Sequence, residues 1–355
     1  MISRSKTMSA AVAALASAAL LLSGCAATDA SASAKSETRT VTSEVKEVSI
    51  PADPKKALGM YTTDLDMLIT LGIPLASQQP IRDSGYSGFP YFFDQDALKG
   101  ISPFTNYPEF NFEAILKAQP DLILNGLGYD KELDGKLSDI APTYTFNGFD
   151  GSDWRTKFKT VAEAFGKTAQ YQAWMDKYQA KVDQVKKRLA AAGKSDLVIG
   201  PVDYYEDQVS VSCYGTPCLV IKDLGLKVSP LADGEGVKLS AEQLEQLNGI
   251  DAIITTEVPE KDGANPDAFA PLANNKLWTS LPFVANKQIH PYDLEMIYGS
   301  PSGQYALLEK FERRSCHDEY LQGRGSGHAP AHAGNVSDHL RWSRPGRLRQ
   351  HGCGR

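Results

Sequence analysis

Histidine is almost missing from the main body of this chain. Five of its six histidines lie beyond Glu312, which leaves His290 alone in everything before it. Sites for bare zinc or manganese draw on several His and carboxylate ligands, so uptake of a free metal ion is argued against. A Ser–His catalytic pair would have one possible base, which leaves an extracytoplasmic hydrolase as a minor alternative. Arginine is scarce too: between Val45 and Glu312 only Arg82, Arg155 and Arg188 occur. No Gly-x-x-x-x-Gly-Lys-Ser/Thr, Gly-x-Gly-x-x-Gly or Gly-x-Ser-x-Gly sequence is present, so the usual nucleotide loops and the hydrolase elbow are absent. With the +1 of residues 1–44 and the +5 of residues 313–355 set aside, the net charge of −6 leaves −12 on the body. An acidic body argues against nucleic acid as a partner. A monomer is expected.

The ends of the chain differ from its middle. Arg4 and Lys6 precede a thirteen-residue apolar run, Ala10 to Leu22, too short to span a membrane comfortably. The run ends in Leu-Leu-Ser-Gly-Cys, which looks like a bacterial lipobox. On that reading residues 1–24 are a signal peptide, Cys25 is lipidated, and the protein sits at the outer face of the bacterial cytoplasmic membrane. A plain secretory signal with an incidental Cys25 is the alternative. Residues 25–44, rich in Ala, Ser and Thr without periodicity, are expected to be a flexible linker. Lys310 is the last lysine, whereas eight of the thirteen arginines follow Glu312. So abrupt a change of usage, in the middle of a helical pattern, makes residues 313–355 an anomalous tail best explained by a frameshift. A basic metal- or nucleic-acid-binding tail is the other reading.

Between these ends one stretch organises the rest. Phe158 to Gly193 has no proline, a single interior glycine (Gly166), and apolar residues that mostly keep to one helical face. It predicts a helix connecting an N-terminal lobe, residues 45–157, to a C-terminal lobe, residues 194–312. Each lobe alternates short apolar strands with helical patterns, and so predicts an α/β fold of mainly parallel sheets flanked by helices. Strands are expected at 46–50, 57–61, 73–76, 121–124, 142–146, 197–200, 209–212 and 288–292. Helices are expected from Asp64 (capped by Thr62 or Thr63) to Gly72, after Asn111, over 218–224, after Ser240, and from Gln304. Two segments mirror each other: Glu113 precedes Asp121 and a strand, and Glu242 precedes Asp251 and a strand. Two lobes joined by a helix leave a cleft, a usual place for a ligand. Cys213 and Cys218 enclose Tyr-Gly-Thr-Pro. Outside the cytoplasm a local disulfide is allowed there, with two buried thiols as the alternative.

These features, in this order, resemble the class III, helical-backbone substrate-binding proteins of ABC importers for ferric siderophores, haem and vitamin B12. The motifs that carry the resemblance are the lipobox, Thr63-Asp-Leu-Asp-Met-Leu-Ile-Thr-Leu-Gly-Ile, Phe112-Glu-Ala-Ile-Leu-Lys-Ala-Gln-Pro-Asp-Leu-Ile-Leu, the long helix and Leu239-Ser-Ala-Glu-Gln-Leu. It covers residues 45–311, and the tail departs from it. It implies capture of a ligand without catalysis or cofactor, and delivery to a permease dimer with its ATPase. It also implies that one surface Glu per lobe docks on permease arginines, at the positions of Glu113 and Glu242.

Loops after the strands should line the cleft. That makes Arg82, Tyr86, Tyr91, Phe104, Tyr107, Tyr129, Tyr204, Tyr205, Glu257, Tyr292 and Tyr298 the candidate ligand residues. Aromatic faces and a planar guanidinium suit the apolar arms and oxygens of an iron(III) chelate. Few arginines in an acidic body tilt the expectation towards a neutral ferric hydroxamate over an anionic catecholate. Haem, which tyrosine could ligate, and cobalamin remain alternatives.

Overall fold

An antiparallel ribbon begins the folded chain. Strand β1 (Thr38–Thr42) pairs with β2 (Glu47–Pro51), Thr38 opposite Pro51 and Thr42 opposite Glu47. The expected linker therefore ends earlier than residue 44. Thr-Arg-Thr-Val-Thr alternates, and its inward Val41 packs on the main core. The computed structural model describes residues 37–82, 86–258 and 268–322, with backbone alone over 314–322. The signal segment, Cys25 and the tail beyond Gln322 lie outside the described residues.

The N-terminal lobe runs through β3 (Ala57–Gly59), α1 (Thr62–Thr70), β4 (Gln78–Ile81), β5 (Ser102–Thr105), α2 (Phe112–Ala118), β6 (Leu122–Asn125), α3 (Lys131–Ser138) and β7 (Thr143–Thr145). Strands β3, β6 and β7 form a parallel sheet in that order, and β4 and β5 form a parallel pair beside it. The strand expected at 73–76 is reduced to one bridge between Ala57 and Leu75, and regular pairing starts at Gln78. All four residues of β6 are buried, as both-sided cover of a parallel sheet requires. Leu122 and Leu124 join the core of Met67 and Leu68, whereas Ile123 joins that of Ile115, Leu133 and Leu137. Helix α2 begins where Asn111 accepts the Ala114 N–H at 3.0 Å. Helix α1 is capped by Tyr61, not by either threonine, and the Tyr61 N–H donates to Asp64 Oδ2 at 3.2 Å.

The predicted connecting helix is two helices: α4 (Trp154–Ala164) and α5 (Thr168–Ala191). Gly166 turns left-handed at φ 65°, and a Cβ there would lie 2.5 Å from Arg39 Nη1. The apolar steps of three and four are interrupted by one step of six, from Phe165 to Tyr171, so the pattern and the glycine mark the break at the same place. Helix α5 is about 36 Å long at about 1.5 Å per residue. It buries Tyr178, Val182, Val185 and Leu189 along one stripe.

The C-terminal lobe follows with β8 (Val198–Tyr205), β9 (Gln208–Val211), α6 (Pro217–Asp223), β10 (Lys227–Val228), β11 (Val237–Leu239), β12 (Ala252–Glu257), α7 (Lys276–Ser280), α8 (Pro282–Ala285), β13 (Ile289–Asp293) and α9 (Pro301–Gln322). Its sheet has the order β11-β9-β8-β12-β13, with β10 on β8. Strands β10, β8, β12 and β13 are parallel; β9 is antiparallel to β8 and β11. The helix expected after Ser240 is a 3-10 turn over Leu244–Gly249. Its buried Leu244 and Leu247 are three apart, the spacing of 3-10 geometry. Glu242 thus lies in a turn, not in a helix's first turn. Both mirrored aspartates tie neighbouring strands. Asp121 accepts the N–H groups of Lys55 and Lys56 at 2.7 and 2.9 Å, and Asp251 accepts that of Val198 at 2.7 Å.

One continuous core crosses from lobe to lobe through Leu68 of α1, Val185 of α5, Ile221 of α6 and Leu307 of α9. Each such side chain contributes about 1.5–3 kcal/mol by leaving water. Helix α9 packs on α1, α5 and α6, and Asp66 of α1 accepts the Ser302 N–H in its first turn at 2.7 Å.

Candidate functional site

The carboxyl ends of the parallel strands converge on a cleft, the position that open α/β sheets generally use for ligands. Tyr61 follows β3, Arg82 follows β4, Tyr107 follows β5 and Phe149 lies in the loop after β7. From the other lobe, β9 leads to Cys213 and Tyr214, and β13 leads to Glu295 and Tyr298. The cavity between residues 148–152 on one side and 212–222, 234–235 and 297–298 on the other measures about 560 Å³. Ligand pockets typically fall in the range of about 300–1,000 Å³.

Arg82 is the electrostatic centre beside this cavity. It is 7% exposed, and its Nε donates to Glu295 Oε1 at 2.6 Å. Its guanidinium carbon stands 4.7 Å from the centre of the Tyr298 ring, 5.1 Å from Tyr61 and 5.3 Å from Tyr107. Cation–π attraction therefore holds three rings around one charge. Burial works against that charge, but the Glu295 carboxylate and the Tyr298 hydroxyl together outweigh it and raise the Arg82 pKa. Burial likewise raises the Glu295 pKa, opposed by Arg82 and by the Thr62 hydroxyl, which donates to the same carboxylate. Arg82 Nη2 is buried without a hydrogen-bond partner. Beyond Arg82 the rings continue as edge or tilted contacts: Tyr61–Tyr298 at 5.5 Å, Phe149–Tyr298 at 5.9 Å and Tyr129–Phe149 at 5.7 Å.

Of the eleven candidate ligand residues, the structure brings Arg82, Tyr107, Tyr129 and Tyr298 together, and only Tyr298 lines the cavity itself. Tyr86 is buried against Asp293, to which its hydroxyl donates. Tyr292 is a core residue at 4% exposure. Phe104 packs on the core beneath α2 and α3. The Tyr204 hydroxyl donates to Asp207 Oδ1 at 3.2 Å, in the β8–β9 hairpin that also carries exposed Tyr205. Tyr91 is exposed in the loop after Tyr86, and Glu257 ends β12. None of these last six or Tyr86 lines the cavity, because a strand end fixes where a loop starts and not where its side chains go.

The sequence reading missed Tyr61, Phe149, Tyr214, Lys222, Glu235 and Glu295. A glycine-rich loop at a strand end (Gly148 to Ser152) and a tyrosine flanked by cysteines were the available signals for Phe149 and Tyr214. Glu295 had none, since its partner Arg82 is 213 residues away. Cys213 and Cys218 are joined by a disulfide whose Cα atoms are 5.6 Å apart, and both line the cavity. Glu113 and Glu242 are both exposed. The His290 ring meets Gln288 Oε1 at 3.1 Å, away from the cavity. Among the described residues, no three His, Cys, Asp or Glu side chains gather to hold a metal ion.

Comparison with known proteins agrees with this architecture. The Bacillus subtilis lipoprotein YhfQ, named as an ABC transporter substrate-binding protein, is 22% identical over 310 residues, 83% of this chain and 94% of its own length. The B. subtilis iron(3+)-hydroxamate-binding protein YxeB is 25% identical over 279 residues, covering 76% and 82% of the two chains. Staphylococcus aureus SirA, solved with staphyloferrin B, superposes with a TM-score of 0.62 at 21% identity, over 79% of this chain and 99% of its own. The periplasmic binding protein family matches residues 81–294, which hold Arg82, Phe149, Tyr214 and the disulfide. The chain belongs to the periplasmic binding protein family, and is a binding protein and not an enzyme.

Proposed function

We propose that this protein is an extracytoplasmic, lipid-anchored substrate-binding component of an ABC importer, and that it captures an iron(III) siderophore, preferably a hydroxamate, in the cleft between its lobes. The observation that carries the reading is the cavity itself. It is large enough for a chelate, walled by Phe149, Tyr214 and Tyr298, and backed by the buried Arg82. Among the described residues its lining holds one cation, Lys222, and one anion, Glu235. That balance suits a neutral ferric hydroxamate better than a highly anionic catecholate, which favours several cations around it. The ligand named for YxeB supports the same choice.

Delivery to a permease is assigned to Glu113 and Glu242, one exposed carboxylate on each lobe, and anchoring to Cys25. Two rigidly separated charges can read the spacing of two arginine sites.

Titration of the soluble protein with an iron(III) trihydroxamate, an iron(III) tricatecholate, haem and cobalamin tests the cargo, because cleft aromatics make quenching a direct signal. Saturation by the trihydroxamate at sub-micromolar concentration is expected. Saturation by haem or cobalamin alone overturns the siderophore reading. Glu113→Lys with Glu242→Lys should abolish uptake in cells and leave affinity unchanged; a loss of affinity in that variant overturns the separation of roles.

A further inference from the structure

Half of the cavity lining comes from one short stretch of chain, residues 212–222. Its tip is closed covalently, since the disulfide joins Cys213, just past the end of β9, to Cys218 in the first turn of α6. The loop is also pinned from behind. The Thr216 N–H donates to Ile297 O at 3.0 Å, and its hydroxyl lies 3.3 Å from the same oxygen. Gly215 sits at φ 71° so close to that carbonyl that a Cβ would lie 2.3 Å from Ile297 O. The loop is thereby fixed directly against the segment that ends in Tyr298.

Tyr214 is the outlier in this arrangement. Everything around it is tied down, yet its own side chain is 66% exposed at the cavity wall. Tyr129, 61% exposed, stands on the opposite lobe, and both Tyr129 and Tyr298 lie within electrostatic reach of Tyr214. An exposed ring on a rigid loop is what a binding wall needs. It offers a broad face at low conformational cost, and the ordering is done before the ligand arrives.

We propose that Tyr214 is a specificity-determining residue of this cleft, and that the Cys213–Cys218 disulfide is the device that holds it in place. The ring face covers one side of the bound chelate, opposite the Phe149 and Tyr129 side, and selects for ligands that present methylene or aryl surface there. The inference rests on the siderophore reading above.

The test uses calorimetric titration, so that loss of a tyrosine does not alter the signal. The probes are iron(III)–desferrioxamine B, a linear trihydroxamate, and an iron(III) tricatecholate, against wild type, Tyr214→Ala, Tyr214→Phe and Cys213→Ser with Cys218→Ser. Tyr214→Ala is expected to weaken the trihydroxamate about 10–30-fold, within the range of a large aromatic contact, and to change the ratio of the two affinities at least threefold. Tyr214→Phe should restore most of the binding. The double serine variant should lose about 5–10-fold while its melting temperature falls by only a few degrees, as befits a four-residue loop. Losses under twofold in Tyr214→Ala, or equal losses for both chelates, overturn the proposal. A serine variant that binds as wild type overturns the role of the disulfide. Failure of the wild type to bind either chelate overturns the siderophore reading, and this inference with it.

Discussion

On the N-terminal side of the cleft, Tyr61, Tyr107 and Phe149 stand at the ends of parallel strands, the first two gathered around the buried charge of Arg82. On the C-terminal side, Tyr214 stands on a loop held by a disulfide and by hydrogen bonds to the backbone of 296–297. The first wall depends on electrostatics in a dry environment, and the second on covalent and backbone geometry. A wall of the first kind responds to protonation and to loss of a charge. A wall of the second kind responds to thiol chemistry and to loss of a loop contact.

The largest effect should come from breaking the charged wall. Arg82→Ala leaves Glu295 buried without its cation and is expected to lower stability by about 3–5 kcal/mol, read as a fall in the denaturation midpoint. Replacing the pair together, Arg82→Met with Glu295→Leu, should recover most of that loss. If the single variant is as stable as wild type, the contrast between the walls fails.

A second test uses pH. Asp64 and Asp66, both on α1 and both buried, have pKa values pushed up to about 8 and about 7 by desolvation, from an ordinary 3.8. The folded state therefore holds their protons more tightly than the unfolded chain does. Their contribution to stability is complete below about pH 4 and declines as the pH rises towards 7 and 8. Asp66→Asn, which keeps an acceptor for Ser302, should flatten the decline of melting temperature between pH 5 and 8. An unchanged slope would show that the pH response lies elsewhere.

The mirrored aspartates offer a finer comparison. Asp121 serves two N–H groups and Asp251 one. Asp121→Ala should therefore cost about 1–2 kcal/mol and Asp251→Ala about 1 kcal/mol, by chemical denaturation. The smallest effect is expected at Glu113→Ala and Glu242→Ala. These are exposed side chains whose removal should change stability by no more than about 0.5 kcal/mol, which keeps their uptake phenotype interpretable.

What the sequence made legible follows how local the determining interactions are. Helix α2 and strand β6 were readable because Asn111 caps one and an unbroken apolar run makes the other. The mirrored Glu–Asp pattern found an aspartate that ties the start of a parallel strand in each lobe, but not that the segment before it is an α-helix in one copy and a 3-10 turn beginning after Glu242 in the other. That choice rests on how Leu244 and Leu247 reach the core. Gly166 was visible as the one interior glycine, and its left-handed turn is closed locally, by Gly166 N–H to Glu163 O and Lys167 N–H to Ala162 O, whereas the crowding by Arg39 that leaves no room for a Cβ was not readable. The site was the least legible part. Arg82 stood out by rarity, but Glu295, Tyr61 and Phe149 become its neighbours or wall partners only through the fold. A tyrosine such as Tyr292, buried among core residues, looks identical in sequence to one such as Tyr214.

The hydrogen bond from Ser302 to Asp66 has a mechanical consequence. It fastens the start of the last helix to a helix of the opposite lobe, and Leu68, Leu307 and Leu308 share one core beside it. Swinging the lobes apart like jaws would uncap a helix and split that core. Cargo should therefore enter and leave by shuffling of side chains and loops at the mouth, with residence time governed by local gating, and the radius of gyration in solution scattering should barely change when the cleft fills.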